Sequence, residues 1–219
     1  MLNSYKSVSI SLVIFSTLFF AGCVYNDEPL PGIVHDYKKD AKLPSFSTAA
    51  VSDNINVPAG WLPPQKLENK NRWRGIVIHH SATGFGNVAY IDKLHKANGW
   101  EGMGYHFVIN NGVFKKGYGK GDGVVEVGYR WRQQKKGAHC RSDGDRGNSY
   151  NKHTIGICLI GNFEKGHPTQ RQKRSLVRLV RFLQKRYNIP SSQIKVHSQI
   201  KATDCPGKYF SLSALKSQL

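Results

Sequence analysis

The chain predicts an α/β domain, a central mixed β-sheet flanked by helices, and three features of the sequence carry that expectation. Short runs rich in β-branched residues recur at 75–79, 105–109, 124–129 and 154–160, each the length of a strand and too short for a helix. Segments of helical period lie between and after them. In the clearest, 168–188, Leu176, Leu179, Val180 and Leu183 fall at i, i+3, i+4 and i+7. Finally, Asn110-Asn111-Gly112 follows one of the runs directly, and an Asn-Gly turn adds an antiparallel pair to strands otherwise spaced by helices.

The first 22 residues stand apart from that domain. Lys6 supplies a basic start, and Val8 to Phe20 is an apolar run shorter than the roughly 20 residues of a membrane-spanning helix, so 1–22 reads as a secretory signal. The run closes on Phe20-Ala21-Gly22-Cys23, which resembles the bacterial lipobox and implies that Cys23 becomes an acylated N-terminus. From Val24 to about Gly60 neither period holds, and Pro, Ser, Asp, Asn and Lys dominate. Residues 23–60 therefore read as an acylated Cys and a flexible tether, whose root-mean-square reach is on the order of 30–35 Å.

Residues 61–219 form one domain of ordinary size. Gly75 to His79 is the first strand, and Asn87 to Asn98 is a helix with Ile91 and Leu94 on one face, stopped by Gly99. Tyr105 to Ile109, the Asn-Gly turn and Val113-Phe114 make a hairpin. Val124 to Tyr129 and Thr154 to Ile160 are further strands, separated by a long polar loop, 130–152, rich in Gly, Arg and Lys. The helix from Pro168 to Asn188 turns a basic face outward, with Arg171, Lys173, Arg174, Arg178, Arg181, Lys185 and Arg186, before Asn188-Ile189-Pro190 ends it.

The chemistry concentrates near the C-terminus. In the stretch 196–207, His197 and Cys205 lie eight residues apart, and Pro206-Gly207 turns the backbone away from the thiol. Far upstream, Ile76-Val77-Ile78 ends on His79-His80. Two His and one Cys leave a tetrahedral zinc ion one position for water, the arrangement of a catalytic site, so the residues read as a zinc hydrolase. His79 and His197 each follow a β-branched run, and in open α/β sheets function gathers beyond the carboxyl ends of the strands. Period-two alternation sends His79 and His80 to opposite faces; spacing leaves open which of them faces the metal.

Five blocks in order, Ile78-His79-His80-Ser81-Ala82-Thr83, Gly104-Tyr105-His106-Phe107, Gly137-Ala138-His139, Ile155 through Phe163, and His197 through Gly207, resemble the zinc-dependent N-acetylmuramoyl-L-alanine amidases. That fold is shared by short phage amidase-type lysozymes and the peptidoglycan recognition proteins. The resemblance implies one Zn²⁺ per chain held by His79, His197 and Cys205, which decides against His80. It implies hydrolysis of the amide between N-acetylmuramic acid and L-alanine, with peptidoglycan as the partner. Tyr105 matches a tyrosine that hydrogen-bonds the reacting water. Thr203 stands where some relatives have Lys, and Thr cannot offer that positive charge to a developing oxyanion. Cys158 occupies a position that is a Glu base in a subset of relatives, so that base is absent. His139 is expected on the substrate side, and His80, His95, His106, His153 and His167 are structural or solvated.

Some family members bind peptidoglycan without cutting it and typically lack a ligand, most often the Cys. A non-catalytic peptidoglycan-binding lipoprotein is thus the alternative, and Cys205 favours the enzyme. A formal charge of +18 over 219 residues calls for an anionic partner. Stem-peptide carboxylates and membrane phosphates both fit, whereas the export signal and the lack of a nucleic-acid module argue against nucleic acid. Arg130, Arg132, Lys135, Lys136 and Arg141 cluster around Gly137-Ala138-His139 as an expected wall of the substrate cleft. Cys140 and Cys158 are open to either a disulfide or two thiols. A monomer is expected, lipid-anchored at the outer membrane and facing the periplasm, since Val24 follows Cys23.

Overall fold

Strand β1 (Gly75–His80) is buried at every residue, because it is an interior strand of a five-stranded sheet, with neighbours on both edges. The computed structural model describes residues 57–142 and 144–219; the expected signal segment 1–22, Cys23 and most of the expected tether lie outside the described residues. The other strands are β2 (Phe107–Ile109), β3 (Val125–Val127), β4 (Thr154–Leu159) and β5 (Ile194–Val196), in the order β3-β2-β4-β1-β5. β2, β4, β1 and β5 run parallel, and β3 joins β2 antiparallel. The mixed sheet is therefore as expected. Helices α1 (Val88–Ala97), α2 (Tyr129–Arg132), α3 (Ser149–His153), α4 (Gln170–Tyr187) and α5 (Leu212–Lys216) surround it.

Alternation along the strands divides the core in two. Ile76, Ile78, Phe107, Ile109, Ile155, Ile157 and Leu159 pack against Leu176, Leu179, Val180 and Leu183 of α4. Each such side chain contributes about 1.5–3 kcal/mol on burial. On the other face Val108, Cys158 and Ile160 meet Ile91 of α1 and Met103. α4 starts where the sequence allows a capping box: Thr169 accepts the Gln172 N–H while the Gln172 side chain accepts the Thr169 N–H. It ends at Asn188, which is left-handed with φ 52°. α1 likewise begins on Asn87, whose side chain accepts the Tyr90 N–H.

Two expectations are corrected. The partner of β2 is β3, not Val113-Phe114; the chain runs on through 110–124 and closes when the Asn110 N–H donates to the Val124 carbonyl and the Gly123 N–H donates to the Asn110 carbonyl. A two-residue apolar run offers too short a ladder, and Phe114 is 59% exposed. Nor is 130–152 a continuous loop, since α2 and α3 both fall on it. Cys140 and Cys158 are both buried and no disulfide joins them, and burial pushes the pKa of the Cys140 thiol up to about 12.

Candidate metal centre

The centre forms at the carboxyl ends of β1 and β5. These strands pair in parallel with Ile78 opposite Val196, so the next residues, His79 and His197, emerge side by side, and their rings lie 4.6 Å apart. The chain then turns through 198–204 and returns Cys205 to the same place. Ser198 N–H donates to the Cys205 carbonyl at 2.9 Å, and Tyr209 N–H donates to the Phe163 carbonyl. Gly207, at φ 102°, lies so close to the Phe163 backbone that any β-carbon would collide with it. The Pro-Gly signal thus marks a close approach as well as a turn.

One donor atom from each of His79, His197 and Cys205 lies within 4.8 Å of the others, and this is the one group of its kind among the described residues. The His79 Nδ1 to Cys205 Sγ distance is 3.7 Å. Tetrahedral zinc with bonds of about 2.0–2.1 Å to nitrogen and 2.3 Å to sulfur holds N and S about 3.6 Å apart, so the donor set fits that ion. His79 is 1% exposed and the other two are half-buried, leaving one side of the cluster open. Both imidazoles are held neutral, as lone-pair donors must be. Burial first, then the neighbouring His139, His197 and His80, push His79 well below the usual histidine range. Burial and the nearby Lys201 bring His197 down to about 4.

His80 points to the other face, as alternation requires. Its backbone N–H donates to Cys205 Sγ at 3.4 Å, and its Nδ1 accepts the Phe163 N–H at 3.1 Å. It thereby ties the Cys205 loop to the segment after β4. Tyr105 borders the cluster, its ring 5.1 Å from that of His79. Thr203 is exposed beside it, and its Oγ1 accepts the Cys205 N–H at 3.3 Å. Cys158 pairs with His79 across the β1–β4 ladder and is wholly buried.

His139 and Arg130 lie elsewhere than expected. His139 is buried behind His79, with His79 Nε2 and His139 Nδ1 3.0 Å apart. If Nδ1 of His79 is the metal donor, its Nε2–H donates to His139 Nδ1, and the His139 Nε2–H points to the Thr154 carbonyl 3.4 Å away. This is a support behind a ligand, not a wall of the cleft. Arg130 is 3% exposed because its guanidinium is spent inside the fold, donating to the carbonyls of Met103 at 2.7 Å and Lys136 at 2.8 Å. The signal for His139 was the glycine in mid-strand: a β-carbon at Gly156 would stand 2.5 Å from the His139 ring. His106, fully buried, accepts the Gly156 N–H on Nδ1 at 3.0 Å, so its Nε2–H donates to the Lys135 carbonyl.

An α/β sheet with a His, His, Cys donor cluster at the carboxyl ends of two parallel strands defines a class of candidate metallohydrolases. Residues 69–208 match the N-acetylmuramoyl-L-alanine amidase family, and the chain belongs to that family. The endolysin of Enterobacteria phage K11 is 31% identical over 59% of this chain and 77% of its own. A peptidoglycan-recognition protein of Drosophila simulans is 30% identical over 65% of this chain and 72% of its own. Among solved structures, the N-acetylmuramoyl-L-alanine amidase LysC from Clostridium intestinale URNW superposes with a TM-score of 0.55 at 31% identity, covering 68% of this chain and 86% of that one.

Proposed function

We propose that the protein hydrolyses the amide between the lactyl carbonyl of N-acetylmuramic acid and L-alanine in peptidoglycan, with one Zn²⁺ held by His79, His197 and Cys205. The observation that carries this reading is the convergence of those three donors within 4.8 Å in a chain of the amidase family. When bound, zinc supplies a Lewis acid at the scissile carbonyl and lowers the pKa of water to about 7. The rest belongs to the chain. His139 fixes the His79 tautomer, so that Nδ1 faces Cys205 Sγ. The Tyr105 hydroxyl orients the attacking water. Because Thr203 Oγ1 accepts the Cys205 N–H, its own O–H is free to donate to the carbonyl oxygen as negative charge develops. The products are a lactyl carboxylate and the free amine of the stem peptide. We further propose that Cys23 is the acylated N-terminus of an envelope lipoprotein, which the lipobox-like Phe20-Ala21-Gly22-Cys23 supports.

The test is mass spectrometry of products from defined muropeptides, with zinc content measured on the same sample. Release of intact stem peptide, abolished by a chelator and restored by zinc, is the expected result. A folded chain carrying about one zinc that binds muropeptide and releases nothing would replace the enzyme by the non-catalytic binder.

A further inference from the structure

The basic residues of α4 are not scattered. Arg171, Arg174, Arg178, Arg181 and Lys185 fall at i, i+3, i+7, i+10 and i+14, which places them in one row along the helix, about 21 Å long at 1.5 Å per residue. α4 itself contributes no acidic residue to it. Arg171, Arg174, Arg178 and Lys185 are exposed and Arg181 is half-buried. The row lies on the far side of the sheet from His79, since α4 covers the face that carries Ile76 and Ile78 and His79 points the other way.

The N-terminal segment of the domain lies against the same helix. Trp61 packs on Phe182 with ring centroids 5.9 Å apart, and the Arg178 guanidinium sits 5.5 Å over the Trp61 ring. Seven residues on, Glu68 holds Arg186 through two bonds of 2.7 Å. Between these two fixed points Leu62 is 44% exposed and Leu67 is 53% exposed. The described chain therefore begins, at Val57, on the α4 side. A cationic row beside exposed leucines is the composition of a surface that settles into a lipid headgroup layer. A soluble polyanion would use the charges and leave the leucines without a role.

We infer that this face, the α4 row together with Leu62 and Leu67, docks on an anionic phospholipid bilayer and turns the metal centre away from it. The inference uses neither the amidase activity nor the acylation of Cys23. In the full chain carrying Cys23→Ser, co-sedimentation with phosphatidylglycerol–phosphatidylcholine vesicles exceeds that with phosphatidylcholine alone, and the excess disappears at high salt. Replacing Arg171, Arg174, Arg178 and Lys185 with Gln lowers anionic-vesicle binding by at least about tenfold. Replacing Arg171, Arg174 and Arg178 with Lys instead retains it. Leu62→Ser with Leu67→Ser weakens binding to both vesicle types. The apolar segment 8–20 is common to all variants and cannot produce these differences. A Gln variant that, with its unfolding midpoint unchanged, binds as the parent does would overturn the inference. So would an equal loss on replacing Lys115, Lys116 and Lys120, or a row that governs binding to polyphosphate or DNA but not to vesicles.

Discussion

His79 meets a different partner on each ring nitrogen, and that determines what its neighbours are worth. Nδ1 faces Cys205 Sγ at 3.7 Å and Nε2 faces His139 Nδ1 at 3.0 Å. Removing the His139 acceptor leaves a buried N–H unpaired and the His79 ring free to turn. His139→Leu is therefore expected to weaken zinc binding by about 10- to 100-fold, read by chelator competition, with His139→Gln recovering part of the loss through its side-chain oxygen. A Leu variant that holds zinc as tightly as the parent would remove the support role. Tyr105 borders the cluster without being one of its donors, so Tyr105→Phe separates chemistry from metal binding. Zinc content stays at the parent level while kcat falls by about 10²-fold or more. A parallel fall in zinc content would instead make Tyr105 part of the scaffold.

At the scale of elements, the close contact between β4 and the 137–139 turn sets the position of His139. Gly156→Ala brings a β-carbon to 2.5 Å from a buried ring that Gly137 also approaches closely. The variant is expected to lose about 1–3 kcal/mol of stability and to weaken zinc binding along with it. Gly84→Ala, where a β-carbon meets nothing within 4 Å, is the matched control, and equal urea midpoints for the two variants would refute the packing account. The same comparison separates what was legible in the sequence from what was not. The strands and the α4 stripe follow from local period, and His197, Cys205 and one of the pair His79-His80 from residue type; the choice of His79 came from the family resemblance alone. The pairing of β2 with β3 was missed because nothing local in Val125–Val127 names its partner, and the nearer Val113-Phe114 followed a good turn signal. α2, α3 and α5 are too short to show a period. His139 and Arg130 were misplaced because their surroundings come from residues far off in sequence, Thr154 and Gly156 for one and Met103 for the other. Among these, only the mid-strand glycine pointed to the contact.

For the molecule as a whole, folding buries imidazoles in their neutral form, and this couples stability to pH apart from any metal. His95 shows the sign most clearly, because it touches none of the three donor residues. Its Nδ1 accepts the Gly104 N–H at 3.0 Å, and burial, only partly opposed by Asp92, brings it from 6.5 down to about 4. The unfolded chain takes up a proton near pH 6.5 and the folded chain holds out until about 4. The stability from this group is thus fully present above pH 6.5 and is lost progressively as pH falls towards 4. The loss is on the order of 3 kcal/mol at roughly 1.4 kcal/mol per pKa unit. His106 is buried still deeper and shifted in the same direction, so it adds to the slope. Urea midpoints measured with chelator present should hold steady from pH 8 to 7 and fall steeply between 6.5 and 4. In His95→Gln, whose side-chain oxygen still accepts from Gly104, the fall should be shallower by about one proton taken up on unfolding. A parent chain as stable at pH 4 as at pH 7 would mean that these rings are protonated within the fold, against the hydrogen bonds that assign their lone pairs to Gly104 and Gly156.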